Sequence, residues 1–321
     1  MTNKPLLLLL LIFLLPASLE AKDNCSPYIE TEYVPITERN SKSLFYLARK
    51  CGQPPIYIFG TYHSDSPKLD PILKRASELI AESDRLGIEI VVTPEQQREA
   101  RKTFLLHPSH TGLKYMLGSK RFKEVAEKVG PILGITVDQV DRYKPWALAV
   151  LVQYPKSEGN GIVIDEKLQR LAESQGKKVI GLEKIEDQLG IFNDMPEKEQ
   201  IEFLELTLED MQKLTDEQEE LKNYYLSQDL PGIYKMSERV FGDMAKEAPK
   251  SADYLNQKLI IERNHTMVES MLDNVEGPTM FAVGALHLPG RNGILNLLEQ
   301  EYDFMIDTLE TTAKDESKPA Q

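Results

Sequence analysis

One local pattern occurs twice, far apart in the chain. Pro55-Ile56-Tyr57-Ile58-Phe59-Gly60-Thr61-Tyr62-His63 is an apolar run that stops at Gly-x-x-His, and Thr279-Met280-Phe281-Ala282-Val283-Gly284-Ala285-Leu286-His287 repeats it. In each copy a Pro follows closely (Pro67, Pro289). A stretch with helical spacing comes next, then another short apolar run (Leu86 to Ile90; Phe304 to Ile306). A buried strand that ends at Gly and carries His at its tip is how an open α/β sheet presents a chemical group at its edge. Two such tips bring two imidazoles to one place. The chain has five His. The other three, His107, His110 and His265, lack a strand-tip setting and read as structural or exposed.

The remaining periodicities fill in the frame. Ser43 to Ala48 alternates and reads as a hairpin partner of Ile56 to Phe59, with Cys51-Gly52-Gln53-Pro54-Pro55 as the turn. Ile72, Leu73, Ala76, Leu79 and Ile80 form a helical stripe, and Leu86 to Val92 reads as strand. Residues 94–153 read as helical, with Lys144-Pro145-Trp146 opening a helix and the only Trp serving as a core anchor. Ile162 to Asp165 is a fifth short apolar run, followed by a helix. Lys178 to Glu183 is a short strand ending in a carboxylate. Pro196 to Met271 carries almost no strand signal and reads as four or five helices broken at Pro231-Gly232 and Pro249. The expected architecture is α/β: a central, mainly parallel or mixed sheet flanked by helices. It contains a repeated strand-Gly-x-x-His-helix-strand unit and a helical insertion at about 196–271 that caps the sheet edge.

Targeting and charge bound the setting. Met1 to Lys4, the ten-residue apolar run Leu6 to Leu15, and Pro16 to Ala21 read as a signal peptide, 1–21. Ten residues are too few to span a bilayer, which needs about 20. The expectation is an exported protein, periplasmic or secreted, soluble after cleavage and without a stable membrane span. One domain then covers 22–308, and a disordered tail covers 309–321. Cys25 and Cys51, the only two cysteines, read as a disulfide in an exported chain, closing a loop whose constraint is worth about 3–4 kcal/mol. The net charge of −13 argues against a nucleic-acid partner. From Glu183 to Glu220 there are 14 acidic and 3 basic residues. Ile201, Leu204, Leu208 and Met211 keep helical spacing through that stretch, which reads as an amphipathic helix with a solvated face.

Four strand-like segments end in, or close to, a polar group: His63, Glu89, Glu183 and His287. Asp165 follows the fifth apolar run. Two His with one or two carboxylates at a sheet edge are the ligand types of a divalent metal site with an open position. A carboxylate left free can then act as a general base. Arg263 can supply positive charge for a carboxylate or an oxyanion. The candidate metal ligands are His63, His287, Glu89 and Asp165. The candidate catalytic residues are Glu89, Glu183 and Arg263. Glu89 stands open between ligand and base, and Asp165 between ligand and helix N-cap. No His-Glu-x-x-His, Gly-x-Ser-x-Gly, P-loop or dinucleotide fingerprint occurs in the sequence.

Several segments, in this order, resemble the TraB/GumN family: Gly60-Thr61-Tyr62-His63, Ser83-Asp84 with Glu89, Lys144-Pro145-Trp146, Gly176 to Glu183, Arg263-Asn264, and Val283 to Gly290. The resemblance covers about residues 43–308. That family is related to the Tiki metalloproteases and shares its fold with the ChaN and erythromycin-esterase-like superfamily. The resemblance implies a site built from the two Gly-x-x-His motifs and a Glu, here His63, His287 and Glu89, with Glu183, Asp165 and Arg263 in other matched segments. It implies a divalent ion such as manganese, cobalt or zinc, and a peptide or protein substrate. Tyr62 stands where members often carry an aliphatic residue, which alters the pocket wall. The expectation is therefore a metal-dependent hydrolase of the cell envelope, a peptidase. The alternative is an envelope protein that binds a metal or small ligand without catalysis. Neither reading sets the substrate or the oligomeric state.

Overall fold

The computed structural model describes residues 42–309, apart from Val92 and Asp210. The expected leader, Cys25 of the expected disulfide, and the tail beyond Leu309 lie outside the described residues. Six strands form one mixed sheet: β1 (Phe45–Arg49), β2 (Ile56–Thr61), β3 (Arg85–Ile88), β4 (Lys178–Gly181), β5 (Thr279–Gly284) and β6 (Met305–Thr308). Their order is β4-β3-β5-β2-β1-β6. The first four in that order run parallel, β1 pairs antiparallel with β2, and β6 pairs antiparallel with β1.

The hairpin β1–β2 is the expected one, turned at Gly52, whose φ of 75° suits a residue without a Cβ. From β2 the chain crosses through the helix Asp70–Glu82 to β3 and leaves one strand position open. That position is filled from the other end of the sequence by β5, which pairs with both β2 and β3. Its first five residues are all buried, as a central strand covered on both faces requires. The register sets Gly60 opposite Val283 and Thr61 opposite Gly284. The two repeats therefore lie side by side and end at the same edge.

The faces of the sheet are covered by helices whose apolar stripes match their spacing. Asp70–Glu82 buries Ile72, Ala76, Leu79 and Ile80, and Ile164–Ser174 buries Ile164, Leu168 and Ala172. A second, all-helical core contains Phe122, Val129, Leu148 and Leu204. Trp146 is fully buried, with Phe104 edge-on and Phe192 stacked against its ring.

Some bounds shift. The short apolar run Ile162 to Asp165 leads into a helix that begins at Ile164 with Val163 as its N-cap, so Asp165 is not the cap but sits with Glu166 in the first turn, where carboxylates face the positive end of the helix dipole. Strand β3 stops at Ile88. The helix break expected at Pro231-Gly232 falls just ahead of it, between Met211–Leu226 and Leu230–Glu247: Pro fits the first turn of the second helix, and the Asp229 side chain accepts from the Gly232 N–H. The helical insertion runs from Ile185 to Asp273 among the described residues, and includes a π-helical segment, Asn256–Glu262. No helix among the described residues is long and apolar enough to cross a membrane.

Candidate functional site

Both Gly-x-x-His tips need their glycine for close packing. A Cβ at Gly60 would lie 3.1 Å from Ala285 Cα, inside the second motif, and 3.0 Å from Cδ1 of Leu288, the residue after it. A Cβ at Gly284 would lie 3.1 Å from Glu89 Oε1 and 3.4 Å from His287 Cδ2. The first glycine lets the motifs abut, and the second lets a carboxylate reach in between. His63 stands two residues past β2, and His287 closes the short 3-10 turn Ala285–His287 after β5.

Each imidazole is held through Nδ1 by an oxygen from a distant segment. Asp165 Oδ2 lies 2.8 Å from His63 Nδ1, and the other oxygen of Asp165 accepts from Thr61 Oγ1 at 2.8 Å. Asn264 Oδ1 lies 2.6 Å from His287 Nδ1. The Asn264 amide nitrogen donates to the Asn292 carbonyl at 2.6 Å, so its oxygen must face the ring and accept from it. Hydrogen bonding through Nδ1 leaves Nε2 as the free nitrogen of each ring, and both histidines line one cavity.

Glu89, one residue past β3, sits at the centre with its side chain about 10% exposed. Oε1 accepts from the Gly284 N–H at 2.5 Å, and Oε2 accepts from Arg263 Nη2 at 2.6 Å and Gln188 Nε2 at 3.1 Å. Arg263 also clamps Glu183, with Nε at 3.0 Å and Nη2 at 2.7 Å from Oε2. Gln188 bridges the two carboxylates, donating to Glu183 Oε2 at 3.1 Å. One guanidinium thus ties the tips of β3 and β4 to the helix Arg263–Asp273.

The two imidazoles have opposite electrostatic characters. Asp165 pulls the His63 pKa up to about 9, against the effects of burial and Arg263. The ring's 46% exposed side chain still meets solvent. Burial pushes His287 down to about 4; Glu89 opposes this, and the charges of Arg263 and His63 add to it. Burial by itself would raise Glu89, but His287, Arg263, His63 and the Gly284 N–H hold it down to about 2. At neutral pH His287 is uncharged, so Arg263, His63 and the amide are what keep Glu89 ionised.

All six side chains singled out from sequence thus gather at one site. His63, Glu89, Arg263 and His287 line the cavity, while Asp165 and Glu183 act behind them, on His63 and Arg263. Sequence reasoning missed Thr61, Gln188 and Asn264. Asn264 stood next to Arg263 in a matched segment, and its buried place on an apolar-periodic helix was the available signal. Gln188 carried none, since it lies in the acidic stretch. Tyr62 is in the cavity wall, its ring 5.2 Å from that of Tyr225, whose hydroxyl donates to the Gly60 carbonyl at 2.8 Å.

The donor chemistry suits a divalent ion in kind. Two Nε2 atoms, each backed by an oxygen on Nδ1, are the arrangement of oriented histidine ligands. As placed, both Glu89 oxygens are occupied by protein donors. Among the described residues no group of three or more His, Cys, Asp or Glu side chains is arranged to ligate an ion. The two imidazoles and Glu89 match a divalent ion in donor type alone.

Against known proteins, residues 44–302 match the TraB/PrgY/gumN family. The chain is also similar to a protein described as "Metalloprotease TIKI homolog" from Amphimedon queenslandica. The two are 22% identical over 323 residues, covering 85% of this chain and 63% of the relative. The chain therefore spans less than two thirds of that relative's length.

Proposed function

The chain belongs to the TraB/PrgY/gumN family, and from that premise we propose that it is a metal-dependent hydrolase that cleaves a peptide bond. Its place of action is the cell envelope, periplasmic or secreted, after loss of the leader at 1–21. The observation that carries the reading is the pair of Nε2 atoms, held from behind by Asp165 and Asn264, beside an ionised Glu89 in one cavity. The similarity to a protein named as a metalloprotease supports the same class.

A divalent ion, manganese, cobalt or zinc, held by His63 and His287 would supply Lewis acidity toward the scissile carbonyl and lower the pKa of a water. Glu89 accepts a proton from the attacking water and returns it to the leaving amine. The water oxygen bonds to the carbonyl carbon, the carbon–nitrogen bond breaks, and the amine departs with the proton. At about 2, Glu89 is ionised but a weak base. Negative charge developing on the substrate would draw on Arg263 and leave Glu89 freer to take the proton. Glu183 and Gln188 hold Arg263 and Glu89 in register. A second reading, capture of a metal or ligand without catalysis, is favoured by the full occupation of Glu89 by protein donors.

Metal content after purification, then peptide turnover with and without manganese or cobalt, separates the two. Metal-dependent turnover is the expected result, and metal bound without turnover of any peptide supports the binder. Manganese affinity should rise about tenfold per pH unit up to about pH 9, then level off. His63 must shed one proton to become a ligand, and its pKa lies at about 9.

A further inference from the structure

The site is one end of a longer cavity of about 510 Å³, within the range of small-ligand pockets, about 300–1,000 Å³. Beyond His63, Glu89, Arg263 and His287 its walls turn apolar. Phe192, Phe203, Val240, Phe241, Met244 and Leu259 come from four segments of the helical insertion. A second chamber of about 220 Å³ continues the first, sharing Leu221, Ile233, Val240 and Phe241 with it, and reaches Glu217 and Ser237. The polar head thus gives way to a largely apolar cleft, with Gln153 and Gln218 among its lining residues.

We propose that this cleft takes an unbranched hydrocarbon chain, so that the substrate is an acylated peptide whose acyl group lies between the helices. The inference rests on the hydrolase reading for what happens at the head, and on the cleft alone for the chain. An apolar peptide would fit the cleft less well. Each of its residues brings an N–H and a C=O that need partners once buried. The wall is helical, with its backbone bonded within the helices, and the amides of Gln153 and Gln218 are turned to the carbonyls of Ala149 and Gln153 at 3.0 and 2.8 Å. A hydrocarbon chain brings no polar group to satisfy. A free fatty acid offers the chain but not the amide bond that the head is proposed to cleave. A neutral acyl amide matches both ends.

The probe is a series of N-acylglycinamides, acetyl to hexadecanoyl, titrated calorimetrically below their micelle concentrations into the full chain. A Glu89→Gln variant is titrated beside it, so that binding is read without turnover. Affinity should rise about fourfold per added methylene and then level off as the cleft fills. Val240→Trp, shown by its melting curve to be folded, should level off at a shorter chain, and Phe241→Ala at a longer one. Affinity that stays flat along the series overturns the proposal. So does an apolar peptide amide of equal carbon count binding more tightly than the acyl probe. Chain-length dependence with no hydrolysis of any acylated peptide leaves the cleft assignment standing and sinks only the hydrolase reading. Hydrolysis of plain peptides with flat acyl binding does the reverse.

Discussion

The tip after β2 and the tip after β5 share a sequence motif but little of their chemistry. His63 is half-exposed and backed by a carboxylate, and its proton is held to about pH 9. His287 is 6% exposed and backed by a neutral amide, and it stays unprotonated down to about pH 4. Both rings are oriented the same way, through Nδ1. The motif therefore fixes geometry, and the residue behind each ring, with its depth, fixes the protonation state. In the proposed metal site, a pair so divided would have one imidazole ready to ligate at neutral pH and one that must first lose a proton.

The largest effect tests whether the two tips work as one unit. His287→Ala, His63→Ala and Glu89→Gln should each lower turnover at least about a thousandfold, the range expected for losing a positioned acid–base or ligand group. The double histidine variant should be little worse than either single. A folded His63→Ala chain with normal turnover, measured in single-turnover assays, would break the comparison by leaving His287 sufficient. Next in size is the clamp that joins the tips to the helical insertion. Arg263→Met leaves the nearly buried carboxylates of Glu89 and Glu183 unpaired and should cost about 3–5 kcal/mol in urea unfolding. An unchanged midpoint would show that Gln188 and the Gly284 amide suffice.

Exchanging the backing groups sharpens the contrast directly. Asp165→Asn should let His63 fall from about 9 toward the ordinary value near 6.5, and Asn264→Asp should raise His287 above about 4, both read by NMR titration. The raised His63 pKa also gives a stability signature. The His63–Asp165 pair stabilises the fold fully below about pH 6.5, and the contribution disappears as pH climbs through 9. The parent and Asp165→Asn should therefore differ in melting temperature at pH 6 and converge above 9. The smallest effect concerns the glycines. Gly60→Ala and Gly284→Ala each force a Cβ to about 3.0–3.1 Å from its neighbours and should cost about 1–3 kcal/mol. Gly284→Ala should also impair turnover, because its Cβ presses on Glu89 and His287, whereas Gly60→Ala presses only on packing atoms.

Much of this was legible in the residues. Strict local patterns, such as the apolar runs ending in Gly-x-x-His, the stripe through Ile72 to Ile80, and the alternation of Ser43 to Ala48, specify strands, helices and a hairpin because side-chain period and backbone geometry are locally coupled. Polar groups at the ends of apolar runs pointed to His63, Glu89, Glu183 and His287 for the same reason. Asp165 stands open between ligand and helix N-cap in the sequence because a cap and a first-turn residue differ by one position, which spacing alone does not resolve. The π-helical segment left no mark in the spacing.

What the sequence by itself determined, then, is which elements form and which side chains stand at their ends, since both follow from contacts within a few residues. Only the tertiary structure decided the partners. The insertion of β5 between β2 and β3 set the two histidines at one edge. The same arrangement of the chain put Asp165 behind one ring and Asn264 behind the other, placed Arg263 between Glu89 and Glu183, and left a cleft among the helices of the insertion. Those pairings join residues up to 223 positions apart, as where β2 and β5 set Thr61 beside Gly284. Their electrostatics depend on burial and on charges brought near by folding, and no local pattern encodes either.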